Sequence, residues 1–192
     1  MNFYFKFAYI ALCFALAIGT YKFSVNKKDW GWLVAGLFFT VIADYFLVLK
    51  NNHLYGVAVF GFAHVCYINR AVETRKAWFL FPTVFVFVVP ALYFDSIIML
   101  SGIYAFLFLA NIFINILFFK NKKTCLPKIN KTLILAGLVL FALCDVNVFL
   151  FNAPKYLGAP SWLTLALPLI WIFYLPSQIL LAVSAFRYKV IQ

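Results

Sequence analysis

Seven apolar stretches follow one another along the chain, at about residues 3–21, 31–50, 54–70, 77–94, 97–119, 132–151 and 162–186, with short polar or basic connections between them. About 20 apolar residues cross the hydrocarbon core as a helix, so each stretch is read as one crossing. The stretches are too long, and their connections too short, for a membrane barrel, whose strands run about 9–11 residues with alternating polarity. The pattern predicts an all-α, polytopic transmembrane helix bundle, with residues 1–192 forming a single integral membrane domain.

Against this background the few polar positions stand out. Asp44 and Asp145 lie deep inside the second and sixth stretches, and each is framed alike: Gly-Leu, six residues, Asp, six residues, Asn. The framing residues are Gly36 and Asn51 in one copy, Gly137 and Asn152 in the other. A carboxylate at the centre of a membrane helix costs roughly 2.5–3.5 kcal/mol on insertion scales and marks a functional-site candidate. The two stretches run the same way, four helices apart, so the carboxyls share a depth and face one another if the helices are neighbours. The match suggests a four-helix repeat truncated in its second copy. Asn51 and Asn152, seven residues beyond the aspartates, fall on the same helical face as the carboxyls.

His64 in the third stretch is expected near the level of Asp44, and Gly61 one turn earlier lets a neighbouring helix approach. In the seventh stretch Tyr174 and Gln178 share a face, and Pro168 and Pro176 are expected to bend the helix. Tyr104, Asn111 and Asn115 on the fifth stretch suit hydrogen bonding between helices, or the same cavity. The remaining acidic residues, Asp29, Glu73 and Asp95, are placed in or beside loops.

Composition agrees with the class: 67% of the 192 residues are hydrophobic and 11% charged, more apolar surface than a soluble domain can hide. Charge then orients the bundle. Thirteen of the sixteen basic residues fall in the first, third and fifth loops and the C-terminal tail, leaving Lys6, Lys50 and Lys155 on the other side. Basic residues of short loops stay cytoplasmic, which puts the N-terminus outside and the C-terminus in the cytoplasm. The net charge of +11 therefore reports topology and contact with anionic lipid, and no nucleic-acid partner is expected. The first stretch reads as a retained helix, with Lys6 snorkelling to the interface. Trp30, Trp32, Trp78 and Trp162 near helix ends read as interfacial anchors. Cys13, Cys66, Cys125 and Cys144 show no paired spacing, and two histidines, His53 and His64, do not make a three-histidine zinc site. No metal and no cofactor are expected.

The segments G-L-F-F-T-V-I-A-D-Y-F-L-V-L, G-V-A-V-F-G-F-A-H-V-C-Y, L-F-A-L-C-D-V-N-V-F-L-F-N and F-Y-L-P-S-Q-I-L-L-A-V-S, in this order, resemble the YhhN-like family from about residue 31 to the C-terminus. Its animal members are membrane lysoplasmalogenases, which cleave the vinyl ether bond of a lysophospholipid into a fatty aldehyde and a glycerophospho-base. The resemblance implies catalytic roles for Asp44, Asp145 and His64 and a substrate-binding role for the Tyr174–Gln178 pair. Asn51, Asn152 and Asn111 join the substrate-binding candidates. It also implies eight helices where this chain offers seven, and it sets Ala43 and Cys144 where the family commonly carries a glycine and a small residue. The implied partners are a lysophospholipid or another amphiphilic small molecule and the bilayer itself; the implied location is the cell membrane, which in a bacterium is the inner membrane. Two carboxyls suit the chemistry, because vinyl ether hydrolysis needs an acid for the alkene carbon and a carboxylate to steady the cation that results. A proton-coupled small-solute transporter, or a lipid-binding membrane protein without catalysis, would also use intramembrane Asp and His. Retinal binding is excluded, since the seventh stretch holds no lysine for a Schiff base.

Overall fold

A computed structural model describes residues 3–72, 80–94 and 96–188. Its helices are α1 (Phe3–Gly19), α2 (Lys27–Asp44), α3 (His53–Val72), α4 (Leu80–Tyr93), α5 (Ile97–Lys120), α6 (Lys128–Leu157) and α7 (Leu167–Val183). The described residues form no strand, only an isolated antiparallel bridge between Ser24 and Phe186. Among the described residues, seven α-helices and an all-α architecture agree with the apolar pattern. Four segments, Lys27–Leu49, Ile97–Lys120, Lys128–Leu157 and Ser161–Val183, are long and apolar enough to cross a membrane. Helix α3 is shorter, at 20 residues, and most of its residues are buried. A membrane helix enclosed by others can carry polar residues that face the bundle interior and find partners there.

Several boundaries move for local reasons. Helix α2 starts at Lys27, four residues before the apolar run, because the Asn26 side chain caps it by accepting from the Lys28 and Asp29 N–H groups. Asp29 therefore lies beside the first loop, in the first turn of α2, and is buried. At the other end α2 widens into a π-helical turn over Tyr45–Leu49, and Asn51 closes the turn with a positive φ of 51°. Helix α6 continues to Leu157 and ends on Gly158 in the left-handed conformation (φ 66°), which glycine adopts without Cβ strain. Helix α7 is preceded by a 3₁₀ stretch, Ser161–Ala166, so Pro168 stands at the start of α7, where proline fits, and Pro176 alone lies inside.

Packing arranges six helices in a closed ring, α1–α2–α3–α5–α6–α7, with α7 returning to α1 and α4 lying outside against α3 and α5. The two most extensive pairs are α6–α7 and α2–α3. Exchanging α1, α2, α3 for α5, α6, α7 maps this ring onto itself, leaving α4 without a counterpart. The matched glycines serve equivalent pairs. A Cβ on Gly36 would stand 2.7 Å from Tyr67 Cε1 of α3, and one on Gly137 would stand 3.0 Å from Leu181 Cγ and 3.2 Å from the Ser177 carbonyl of α7.

The first and fifth connections and the C-terminal segment meet at one end. There Val25 N–H donates to the Ala185 carbonyl, Arg187 N–H to the Phe23 carbonyl, and Asn130 Nδ2 to the Ser184 carbonyl. Lys22, Lys27, Lys28, Lys122 and Lys123 belong to the segments that meet here. Glu73, Arg75, Lys76, Trp78, Asp95 and Lys189 lie outside the described residues.

Candidate active site

Helix α2 and helix α6 are not neighbours; they stand across the ring from one another. Consequently the two carboxyls do not pair directly. Each is held by a tyrosine from a third helix. Asp44, 3% exposed, accepts from the Tyr174 hydroxyl of α7 at 2.5 Å through Oδ2. Asp145, half-buried, accepts from the Tyr104 hydroxyl of α5 at 2.6 Å, also through Oδ2. Between the two sites stands Phe141, one turn before Asp145. Its ring lies 5.5 Å from that of Tyr174 and 5.4 Å from that of His64. Phe141 thus touches both the tyrosine that holds Asp44 and the histidine behind Tyr104, so the two aspartates border one aromatic interior.

His64 is fully buried and both ring nitrogens are engaged: Nε2 lies 3.1 Å from the Tyr104 hydroxyl and Nδ1 3.1 Å from Asn111 Nδ2. Beyond it, Asn115 Nδ2 donates to Asn111 Oδ1 at 2.8 Å and to the Asn111 backbone carbonyl at 2.9 Å. His64 thus meets Asp145 only through Tyr104. Around it Phe108, Phe141, Tyr104 and Tyr67 form an aromatic wall with ring centroids 4.7–6.3 Å away. An imidazole enclosed this way has little room for solvent.

Residues 1–185 match the model of the YhhN family. The chain belongs to that family. No curated protein and no solved structure matches it.

For this YhhN-family chain the structure sorts the sequence candidates. It joins Asp44 with Tyr174, and Asp145 with Tyr104, His64, Asn111 and Asn115. Gln178 is fully buried one turn from Tyr174 but donates to Ser177 Oγ at 3.2 Å, and its Oε1 is unpartnered. Asn51 is exposed at the turn after the π-helical segment, since wider helical winding breaks the α-helical register that would have stacked it over Asp44. Asn152 uses its amide on the Val148 carbonyl of its own helix. The structure also revises Lys6: it is 8% exposed, with Nζ 4.0 Å from the Trp171 ring centre, a cation–π contact in place of an exposed head at the interface.

Two features were missed as site elements. Tyr104 is one: named with Asn111 and Asn115 for hydrogen bonding between helices or the same cavity, it was not counted among the catalytic or substrate-binding residues, although its spacing of seven and eleven residues from them placed all three on one face. The other is an ion pair at the basic end. Arg70 Nε and Nη2 donate to Asp29 at 2.9 and 3.1 Å, and Nη2 also donates to Ser184 Oγ at 2.9 Å. A sequence count treats both residues as loop charges. Among the described residues, no cluster of three or more His, Cys, Asp or Glu side chains forms a metal-ligand set.

Proposed function

We propose that this chain is a membrane-embedded hydrolase of the lysoplasmalogenase type, cleaving the vinyl ether bond of a lysophospholipid. The observation that carries this reading is the pair of intramembrane carboxyls, each oriented by a tyrosine hydroxyl and both bordering the interior around Phe141. The family membership supports the same substrate class.

The chemistry runs in three steps. A protonated carboxyl gives its proton to the alkene carbon of the vinyl ether, leaving an oxocarbenium ion across the ether carbon and oxygen. Water attacks that carbon and loses a proton to a carboxylate, giving a hemiacetal. The hemiacetal collapses to the fatty aldehyde and the free glycerol hydroxyl of the lysophospho-base. A carboxylate near the cation stabilises the transition state, as in glycosidases. Asp44 and Asp145 are the two carboxyls. Tyr174 and Tyr104 fix their orientation, and His64 acts as a positioning residue through Tyr104. Asp145 and Tyr104 are both half-buried on the α5–α6 side of the ring, and an alkenyl chain entering from the bilayer would meet them first. Lys50 and Lys155 are exposed at the opposite end from the basic loops and supply cations for the phosphate.

The test is aldehyde release from lysoplasmalogen by the purified protein, its Asp44→Asn variant and its Asp145→Asn variant. Positioned acid–base groups contribute about 10²–10⁴-fold, so each variant should lose that much. Undiminished release in both variants would overturn the paired-carboxyl mechanism; no release from the parent protein would remove the substrate assignment.

A further inference from the structure

The hydrogen bonds around His64 have a direction, and it can be followed from one atom whose role is not in doubt. The Asn111 backbone carbonyl can only accept, so the Asn115 atom 2.9 Å from it is the amide nitrogen. That nitrogen also reaches the Asn111 side chain at 2.8 Å, which must therefore present its oxygen there and turn its own nitrogen to His64. Asn111 Nδ2 then donates to His64 Nδ1 at 3.1 Å, and Nδ1 carries no proton. A neutral imidazole has one N–H, so it lies on Nε2 and is given to the Tyr104 oxygen 3.1 Å away. The Tyr104 hydrogen is left for Asp145 Oδ2 at 2.6 Å. Reversing any link from Asn115 to Tyr104 sets two donors, or two acceptors, face to face; reversing the last one would need a proton on Asp145 Oδ2 and would leave the Tyr104 hydrogen without an acceptor among the described residues.

We propose that Asn115, Asn111, His64 and Tyr104 form a one-way donor relay that makes Asp145 the ionised carboxylate of the pair and leaves Asp44 as the acid. Each donor in such a chain is polarised by the one behind it, which strengthens the final bond to a negative oxygen. Asp44 is served differently. Among the described residues its hydrogen-bond donor is Tyr174, whose hydroxyl is backed by no second N–H, and Asp44 is almost fully enclosed. Two charges bordering one apolar interior would each raise the cost of the other, so one carboxyl keeps its proton, and the relay decides which. In the reaction, Asp44 would protonate the alkene carbon and Asp145 would face the oxocarbenium ion and take the proton of the attacking water. Tyr104, Asn111 and Asn115 become positioning residues, and His64 is kept neutral, as neither acid nor base.

This assignment deepens the hydrolase reading but is tested without turnover. Infrared spectra of the full-length protein in lipid at neutral pH should show the carbonyl band of a protonated, buried carboxyl. The band should vanish in Asp44→Asn and persist in Asp145→Asn. The opposite pattern, or no such band in the parent protein, overturns the proposal. Nitrogen NMR of ring-labelled histidine should find His64 as the neutral Nε2–H tautomer, with His64→Gln identifying its signal against His53. Asn115→Ala should admit the second tautomer while Asn115→Gln keeps the first. An imidazolium, an Nδ1–H tautomer in the parent, or a tautomer unmoved by Asn115→Ala refutes the relay. If the spectra agree and lysoplasmalogen is not cleaved, the relay stands and the substrate assignment alone fails.

Discussion

Replacing Arg70 by methionine offers the sharpest check on how the basic end is held together. The guanidinium makes two hydrogen bonds to Asp29 and one to Ser184, and the two charged side chains are 0% and 4% exposed. These contacts tie the start of α2, the end of α3 and the end of α7 together. Methionine fills similar volume but leaves the Asp29 carboxylate buried without a counter-charge. Loss of one partner of such a buried pair costs about 3–5 kcal/mol, while replacing both by apolar residues is often neutral or stabilising. The expected pattern is a loss of about 3–5 kcal/mol for Arg70→Met, a similar loss for Asp29→Leu, and nearly full recovery in the double variant. Ser184→Ala, which removes one hydrogen bond to a charged group, should cost about 1.5–3 kcal/mol. The assay is reversible unfolding in mixed detergent micelles, with the four proteins compared as a double-mutant cycle. Single variants costing under about 1 kcal/mol, or a double variant costing the sum of the singles, would refute a buried, mutually dependent pair.

Three further outcomes are expected. Gly36→Ala should destabilise by about 1–3 kcal/mol, because its Cβ meets the fully buried Tyr67 ring at 2.7 Å; Gly31→Ala, with nothing within 4 Å, should stabilise by up to about 1 kcal/mol in the same unfolding assay. Tyr174→Phe removes a hydrogen bond to a carboxyl worth about 1.5–3 kcal/mol, so aldehyde release should fall roughly 10–150-fold with the helical circular dichroism unchanged; equal rates would count against Tyr174 as the group that orients Asp44. Among the four cysteines Cys125 is exposed and the others are buried. A membrane-impermeant maleimide should therefore label intact cells poorly and inverted vesicles at Cys125; the reverse result would invert the topology.

Much of this protein could be read from one dimension. Hydrocarbon imposes a length and an apolarity on each crossing, and short basic loops impose a side. Hence seven helices, the gathering of the basic loops at one end, and the singling out of Asp44 and Asp145 follow from the order of residues alone. The matched glycines were visible in the same way, as small residues ahead of each aspartate. What a linear pattern does not contain is which helix stands beside which. Both aspartates were legible, but a shared depth says nothing of azimuth, and the ring sets α2 across from α6. Tertiary packing therefore decided that each carboxyl meets a tyrosine from a third helix, that His64 reaches Asp145 only through Tyr104, and that Asp29 pairs with Arg70. Local winding decided the rest: an asparagine cap drew Asp29 into α2, and a π-helical turn carried Asn51 off the face that simple helical spacing had given it. Depth in a membrane is a property of the sequence, because solvent enforces it residue by residue. Partnership is not, because a hydrogen bond needs two groups brought together from helices that no local rule orders.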